Sequence, residues 1–191
     1  VKKFSFDEII IKRRSVRAYE KEAVPNESLR QIIETARFAP SAHNTQPWRF
    51  VAVTDKQKVS MIFAKALGGI VSNSWGETAP AFIVACAKKS FLVHILAGGV
   101  KRIPYHYLDM GTAIEHILLK AAELGLGTCW IGWFNERAVR SIFSIPRALE
   151  IVSLIAIGYP SQQKEQQPRA KLKLDDILFW NRYGEPLKSD E

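Results

Sequence analysis

The chain has 191 residues, 47% of them hydrophobic and 24% charged, with 27 basic against 19 acidic side chains and a formal net charge of +8. That size fits one domain with a sizeable core, and the apolar fraction excludes a disordered or fibrous chain. No run approaches the ~20 apolar residues of a membrane span, while the positive charge favours anionic partners, either nucleic acid or phosphorylated small molecules.

Residues 4–12 read as a short helix ending near the basic cluster K12-R13-R14. A second helix is expected from Asn26 as its cap, because Leu29, Ile32, Ile33 and Ala36 fall at i, i+3, i+4 and i+7; it stops before Pro40. R49-F50-V51-A52-V53-T54 reads as a strand. Residues 55–67 read as a helix ended by G68-G69, and N73-S74-W75-G76 as a loop. A81-F82-I83-V84-A85-C86-A87 is a continuous apolar run of strand length, expected at the centre of a sheet covered on both faces. Residues 88–104 show no periodicity, broken by G98-G99 and Pro104.

The clearest helix is 107–124, where Met110, Ala113, Ile114, Ile117, Leu118, Ala121 and Leu124 keep a 3.6-residue period and Gly125 sits where a left-handed end belongs. G127 to W133 is a strand leading into a loop, Asn135 caps a helix over 136–143 closed by Pro146, and 150–158 is a second core strand. A polar hinge over 161–167 leads to a tail whose Ile177, Leu178, Phe179 and Trp180 must bury against this chain or another. The order mixes about four strands with four or five helices and contains no internal repeat. Dinucleotide, P-loop and nucleophile-elbow glycine motifs are all absent.

Cys86 and Cys129 lie in apolar runs and read as buried free thiols, in keeping with a reducing, cytoplasmic compartment. His43, His94, His106 and His116 lack metal-ligand spacing, and His43 has no nucleophile and acid to pair with from sequence. Three segments carry candidate binding chemistry. Arg13, Arg14 and Arg17 flank Ser15, and arginine forks clamp phosphates or carboxylates in bidentate fashion; the plainer reading is a solvated basic loop. Arg169 and Lys171 alternate along an extended segment and could share a face. The loop A39-P40-S41-A42-H43-N44-T45-Q46-P47-W48 offers short donors and acceptors suited to a heterocycle edge or a polyol, or else satisfies them internally. Gln46 precedes Pro47, which restricts its backbone. In G125-L126-G127-T128-C129-W130-I131-G132-W133, Gly132 would let a backbone amide approach a planar ligand, although a packed strand end explains the pattern as well.

Together these pieces resemble the FMN-dependent nitroreductase family. The matching residues are R13-R14-S15-V16-R17, P40 to W48, L108-D109-M110-G111, G125 to G132, R169-A170-K171-L172 and W180-N181-R182-Y183, in the family's order and spanning nearly the whole chain. The resemblance implies an α+β fold in three layers, a central mostly antiparallel sheet packed by helices, forming an intertwined homodimer with one FMN in each interfacial site. It implies a single domain over 1–191 whose tail, 168–191, packs on the partner. Arg13, Arg14, Ser15 and Arg17 would hold the ribityl phosphate and the pyrimidine edge, with Arg169 and Lys171 closing over the phosphate. Pro40, Ser41, Ala42 and Asn44 would come from the partner subunit, Gln46 would share their loop, and Ile131 and Gly132 would face the isoalloxazine. NAD(P)H would reduce FMN, which would reduce a small acceptor, nitroaromatic or quinone, in ping-pong order, with no catalytic side chain, no metal, no nucleic acid and no membrane. The same fold also serves reductive dehalogenation and flavin cleavage, and an anion- or nucleic-acid-binding protein is the alternative of a different class. The chain departs from family members that place Asn and Lys before the central strand or an acidic residue beside the glycine near N5. Trp75, Tyr105 and Trp133 are candidates to narrow the mouth of the site.

Overall fold

A computed structural model of the chain describes residues 4–68, 74–161 and 170–185. It opens with α1 (Phe6–Lys12), whose N-terminus carries a capping box: Ser5 Oγ accepts the Glu8 N–H at 3.3 Å and the Glu8 carboxylate accepts the Ser5 N–H at 2.7 Å. These bonds satisfy donors that a first helical turn leaves unpaired. In α2 (Asn26–Ala36) the expected stripe buries Leu29, Ile32 and Ala36. Asn26 is not its cap but its first helical residue. Pro25, with φ at −60°, stands in the cap position and no side chain bonds the first-turn amides; the pre-set proline dihedral starts the turn instead.

The chain continues through β1 (Trp48–Val53) and α3 (Lys56–Ala66), where the Asp55 carboxylate accepts the Lys58 N–H at 2.9 Å. Residues Ser74–Thr78 form a 3-10 turn rather than an open loop. After β2 (Ala81–Lys88), the stretch without sequence periodicity folds as a π-type turn, Phe91–Ala97, and one turn of helix, α4 (Gly98–Lys101). α5 (Tyr105–Glu123) buries six residues of the predicted stripe, Met110 to Ala121, and the chain leaves it at Gly125 with φ at 76°. β3 (Gly127–Ile131) leads to α6 (Glu136–Phe143), where Asn135 Oδ1 accepts the Ala138 N–H at 3.1 Å as expected of a cap. β4 (Leu149–Gly158) completes the sheet.

The strands lie in the order β1-β2-β4-β3 and every pairing is antiparallel. Side chains alternate across β2 and β4. Ile83, Ala85, Ile155 and Ile157 face a cluster with Ile32 of α2 and Met110, Ile114 and Ile117 of α5. Phe82, Val84, Leu154 and Ala156 face another with Ile62 of α3 and Val139 of α6. The result is an α+β fold of three layers, and it explains why the β2 sequence is apolar at every position rather than at alternate ones.

The chain divides into two compact units, Val1–Ser161 and Gln162–Glu191. The second, described from residue 170, contains a 3-10 turn at Leu174–Asp176 and exposes Ile177, Leu178, Trp180 and Tyr183. The expected polar hinge falls almost wholly outside the described residues.

Ser15 and Val16 lie along the outer edge of β3, and the segment goes on to bridge Pro160 at Tyr19. The Val16 N–H donates to the Thr128 carbonyl at 2.8 Å, Ser15 bridges Thr128 in parallel, and the Tyr19 hydroxyl donates to the Val16 carbonyl at 2.7 Å. This covers an otherwise open edge. The contact depends on Gly127, because a Cβ there would meet Val16 Cγ2 at 2.6 Å and Val16 Cβ at 2.8 Å. Gly127→Ala is therefore expected to push Val16 off β3 and to cost ~1–3 kcal/mol, the usual penalty of overpacking. Urea unfolding checks this; a midpoint equal to that of the wild type contradicts it.

Candidate active site

The first group of candidate residues sits on the edge segment just described. Val16 turns into the core while Ser15 and Arg17 remain exposed, and Arg13 and Arg14 are half-buried. Arg13 Nε lies 3.6 Å from Glu115 Oε1, which ties the end of α1 to α5. The Arg17 guanidinium sits 5.8 Å from the ring centroid of Trp75, within cation–π range. At the far end of β3, Ile131 is buried and Gly132 is exposed, with nothing within 4 Å of where a Cβ would be. Trp130 and Trp133 are exposed beside it. The segment thus offers guanidinium and hydroxyl donors, and β3 ends on open backbone that a flat molecule can approach. Those features fit a phosphorylated ligand with a planar ring.

Both thiols are buried and free. Burial pushes Cys86 up to about 11 and raises Cys129 against the opposing pull of Arg17, so neither is poised as a nucleophile.

The second group is the loop before β1. Its backbone is unusual: His43, Asn44 and Gln46 have φ of 50°, 53° and 45°, in the left-handed region that side chains disfavour. Pre-proline geometry favours an extended Gln46, yet this residue is left-handed. Its N–H is held by Ser41 Oγ at 3.0 Å and its side-chain amide donates to Asn44 Oδ1 at 3.1 Å, and these bonds hold the conformation that proline opposes. The loop also bonds outward to α5. The Ala42 N–H donates to Asp109 Oδ1 at 2.9 Å, and the Thr112 hydroxyl proton is shared between the Asp109 carbonyl at 2.8 Å and the Pro40 carbonyl at 3.1 Å. Much of the loop's polarity is therefore satisfied within the chain, while Pro40, His43, Asn44 and Gln46 stay exposed.

Beneath the loop lies a buried polar cluster that joins His94 and His106, without metal-ligand spacing in the sequence, to Asp109 of the L108-D109-M110-G111 segment. His94 and Asp109 are both buried, with His94 Nε2 3.2 Å from Asp109 Oδ2 and 3.3 Å from Thr45 Oγ1. His106 packs against His94 at 5.8 Å between ring centroids, and its Nε2 lies 3.3 Å from a Glu150 carboxylate that also engages Lys89 and the Tyr107 hydroxyl. The available signal was polar residues inside apolar patterns: His94 in F91-L92-V93-H94-I95-L96, and Asp109 one turn before Ala113 on the buried face of its helix.

Ser15 and the 39–48 loop lie at opposite edges of the sheet, although Arg13 and Pro40 both reach α5, one turn apart at Glu115 and Thr112. Ser15 pairs with Thr128 on one edge strand, and the 39–48 loop feeds Trp48 on the other. Thr128 stands opposite Ile157 near the end of β4, while Trp48 opposes Ala87, which opposes Glu150 near its start. Three interstrand steps and seven residues of β4 separate Thr128 from Trp48, roughly 27 Å. Trp75 lies with the Arg17 group and Tyr105 opens α5 near the loop, so these two likewise belong to different ends of the sheet. Lys171 is exposed in the second unit, and Arg169 lies outside the described residues. No helix among the described residues is long and apolar enough to cross a membrane.

The model of the nitroreductase family matches residues 10–159. The chain belongs to the nitroreductase family. An NADH dehydrogenase of Thermus thermophilus is 31% identical to it, over 89% of this chain and 93% of its own. A nitroreductase family protein of Clostridium novyi superposes with a TM-score of 0.74 at 30% identity, covering 96% of this chain and 97% of its own. An FMN-dependent nitroreductase of Clostridium difficile does so with a TM-score of 0.74 at 27% identity, covering 92% and 98%. The fold and oxidoreductase character of the family therefore apply to this chain.

The buried cluster also sets a pH dependence. Burial lowers the His106 pKa from its ordinary value, with Lys89 and His94 adding to the effect and Glu150 opposing it. The unfolded chain then binds a proton that the folded chain resists, so stability is present above the ordinary histidine range and falls as pH drops through ~6.5. Burial alone would raise the Glu150 pKa, but the bonds from Lys89 and Tyr107 outweigh it and hold the carboxyl below its ordinary value; that adds a loss of the same sign below pH ~4.5. Melting temperatures across pH 7.5 to 5.5 should fall for the wild type and flatten in His106→Gln; identical slopes contradict the assignment.

Proposed function

We propose that the chain is an FMN-dependent oxidoreductase that works as a homodimer, each site completed by two subunits. The observation that carries this reading is the separation of the two polar groups across the sheet. Arg13, Arg14, Ser15 and Arg17 suit a phosphate and a pyrimidine edge, the 40–46 loop suits a polar heterocycle or a ribityl chain, and since Ser15 and the loop lie at opposite sheet edges we assign their meeting to a second chain. Exposed apolar side chains support the dimer: Phe6 and Ile11 of α1, Leu92 and Ile95 of the π-type turn, and Leu108 of α5 form more surface than a monomer ordinarily leaves to water. The tail over 168–191, with Trp180 and Tyr183 exposed, is assigned to the partner's surface, and Arg169 and Lys171 to the phosphate. The buried free thiols fit a reducing, cytoplasmic setting.

Bound FMN would supply the redox chemistry, taking hydride from NADH or NADPH and reducing a small electrophilic acceptor, nitroaromatic or quinone, in ping-pong order. The protein's part is position and charge. The arginines neutralise the phosphate through charge-assisted bonds, and the wider positive field of the +8 chain favours the anionic nicotinamide donor. Gly132 leaves space for backbone to approach a ring, and Ile131 closes the core behind it. No side chain is assigned a covalent role.

The protein should purify yellow, and its flavin absorbance should bleach on anaerobic addition of NADH or NADPH. Arg17→Ala is expected to weaken FMN binding by ~10-fold or more, the value of one charge-assisted bond to a phosphate. Arg17 is the cleaner choice because Arg13 also ties α1 to α5 through Glu115. Subunit complementation tests the shared site. Arg17→Ala and a Ser41→Ala/Asn44→Ala double variant should each bind FMN weakly, while mixed heterodimers recover one tight site in two. One of the two sites then receives its arginine and its loop from unaltered segments. Absence of recovery would place the whole site in one chain and overturn the proposal.

A further inference from the structure

We propose that His94 and Asp109 form a positioning pair that holds the 41–46 loop, with His43, Asn44 and Gln46 left-handed, and thereby sets the loop's donors for the flavin. The second clause rests on the functional reading above; the first stands on geometry alone.

The side chains of His94 and Asp109 are 0% and 6% exposed. A buried carboxylate is tolerated only when its oxygens are bonded, and both are. Oδ1 accepts the Ala42 N–H at 2.9 Å and Oδ2 faces His94 Nε2 at 3.2 Å. The histidine in turn has a determined tautomer. The Ser90 N–H points at Nδ1 from 2.8 Å, and a backbone amide can only donate, so Nδ1 carries the lone pair and the ring proton sits on Nε2. That proton is directed at Asp109 Oδ2, with Thr45 Oγ1 at 3.3 Å as a second acceptor. A continuous chain of bonds therefore runs from the segment after β2, through Ser90, His94 and Asp109, to the loop before β1.

The loop needs such a tether. Three of its residues, His43, Asn44 and Gln46, sit at positive φ without being glycine, and backbone strain of this kind persists only where surrounding contacts over-determine it. Ser41 and Asn44 hold Gln46 from inside the loop; α5 and His94 connect residues 40–45 to the core, and at the loop's far end the Pro47 carbonyl accepts the Lys88 N–H of β2 at 2.7 Å. Asp109 and Thr112 stand one turn apart on α5 and bond Ala42 and Pro40 respectively. His94 holds the Asp109 carboxylate at the rotation that presents Oδ1 to Ala42. Its role is to aim another group; it need touch no ligand.

Hydrogen exchange on flavin-free protein is the primary test. Asp109→Ala should speed exchange of the 42–46 amides by ~10-fold or more, while β2 and α5 keep their protection. His94→Gln places a side-chain amide donor near the position of Nε2 and should stay within about threefold of the wild type. His94→Asn keeps only the acceptor facing Ser90 and should behave like Asp109→Ala. Unchanged exchange in Asp109→Ala, or equal effects of the two His94 variants, overturns the pair. Should the variants fail to fold, nitrogen NMR of the wild-type His94 ring decides: protonation at Nε2 supports the pair and protonation at Nδ1 overturns it. FMN titration separates the second clause. Weakening by ~10-fold in Asp109→Ala and His94→Asn supports it; faster exchange with unchanged FMN affinity retains the pair as a loop anchor and overturns the loop's assignment to the flavin.

Discussion

The arrangement of this protein depends on one strand that cannot tolerate water on either face. β2 buries seven of its eight residues, leaving only Lys88 exposed, so it must lie between two neighbours and under two layers of helix. β1 and β4 take its edges; α2 and α5 cover one face, α3 and α6 the other. With burial of a large aliphatic side chain contributing about 1.5–3 kcal/mol, Phe82, Ile83 and Val84 alone outweigh any surface interaction in the chain. β3 is then left outside β4, at the far edge from β1. That order places the arginine segment at one edge and the polar loop at the other.

Legibility from sequence followed the range of the forces involved. The α5 stripe, the Gly125 exit and the Asn135 cap are local consequences of residue type and were readable. The continuous apolar run of β2 announced a doubly covered strand for the same reason. Residues 88–104 were opaque because their shape is set from a distance: the π-type turn at Phe91–Ala97 places His94 against Asp109, and no local periodicity encodes that. Gln46 is the sharper case. Its pre-proline position argues for extended backbone, and two side-chain bonds within the loop hold it at φ 45°.

The candidate site was legible as a list of residues and not as an arrangement. R13-R14-S15-V16-R17 and P40 to W48 stand out by composition, but composition carries no information on strand order, and strand order is what separates them. Arg13 shows how far a residue's local surroundings can diverge from its functional assignment. Its ion pair with Glu115, half exposed, contributes little to stability, yet it limits where the guanidinium can point.

In the proposed dimer the 40–46 loop serves another subunit's site, and such a loop meets a requirement that an internal loop escapes. It cannot depend on that site for its shape, because any ordering left until assembly subtracts from the affinity gained. The 40–46 loop meets this by settling its conformation within its own chain. Ser41 and Asn44 bond Gln46, Thr112 bonds the Pro40 carbonyl, and Asp109 bonds the Ala42 amide. The costs fall where they can be borne: strained dihedrals at three exposed residues, and a carboxylate and an imidazole withdrawn from water. Core stability gains nothing from either, since an apolar pair of similar volume would fill the same space without the desolvation penalty. What the polar pair supplies is a direction for one backbone amide, and with it the orientation of the residues on either side.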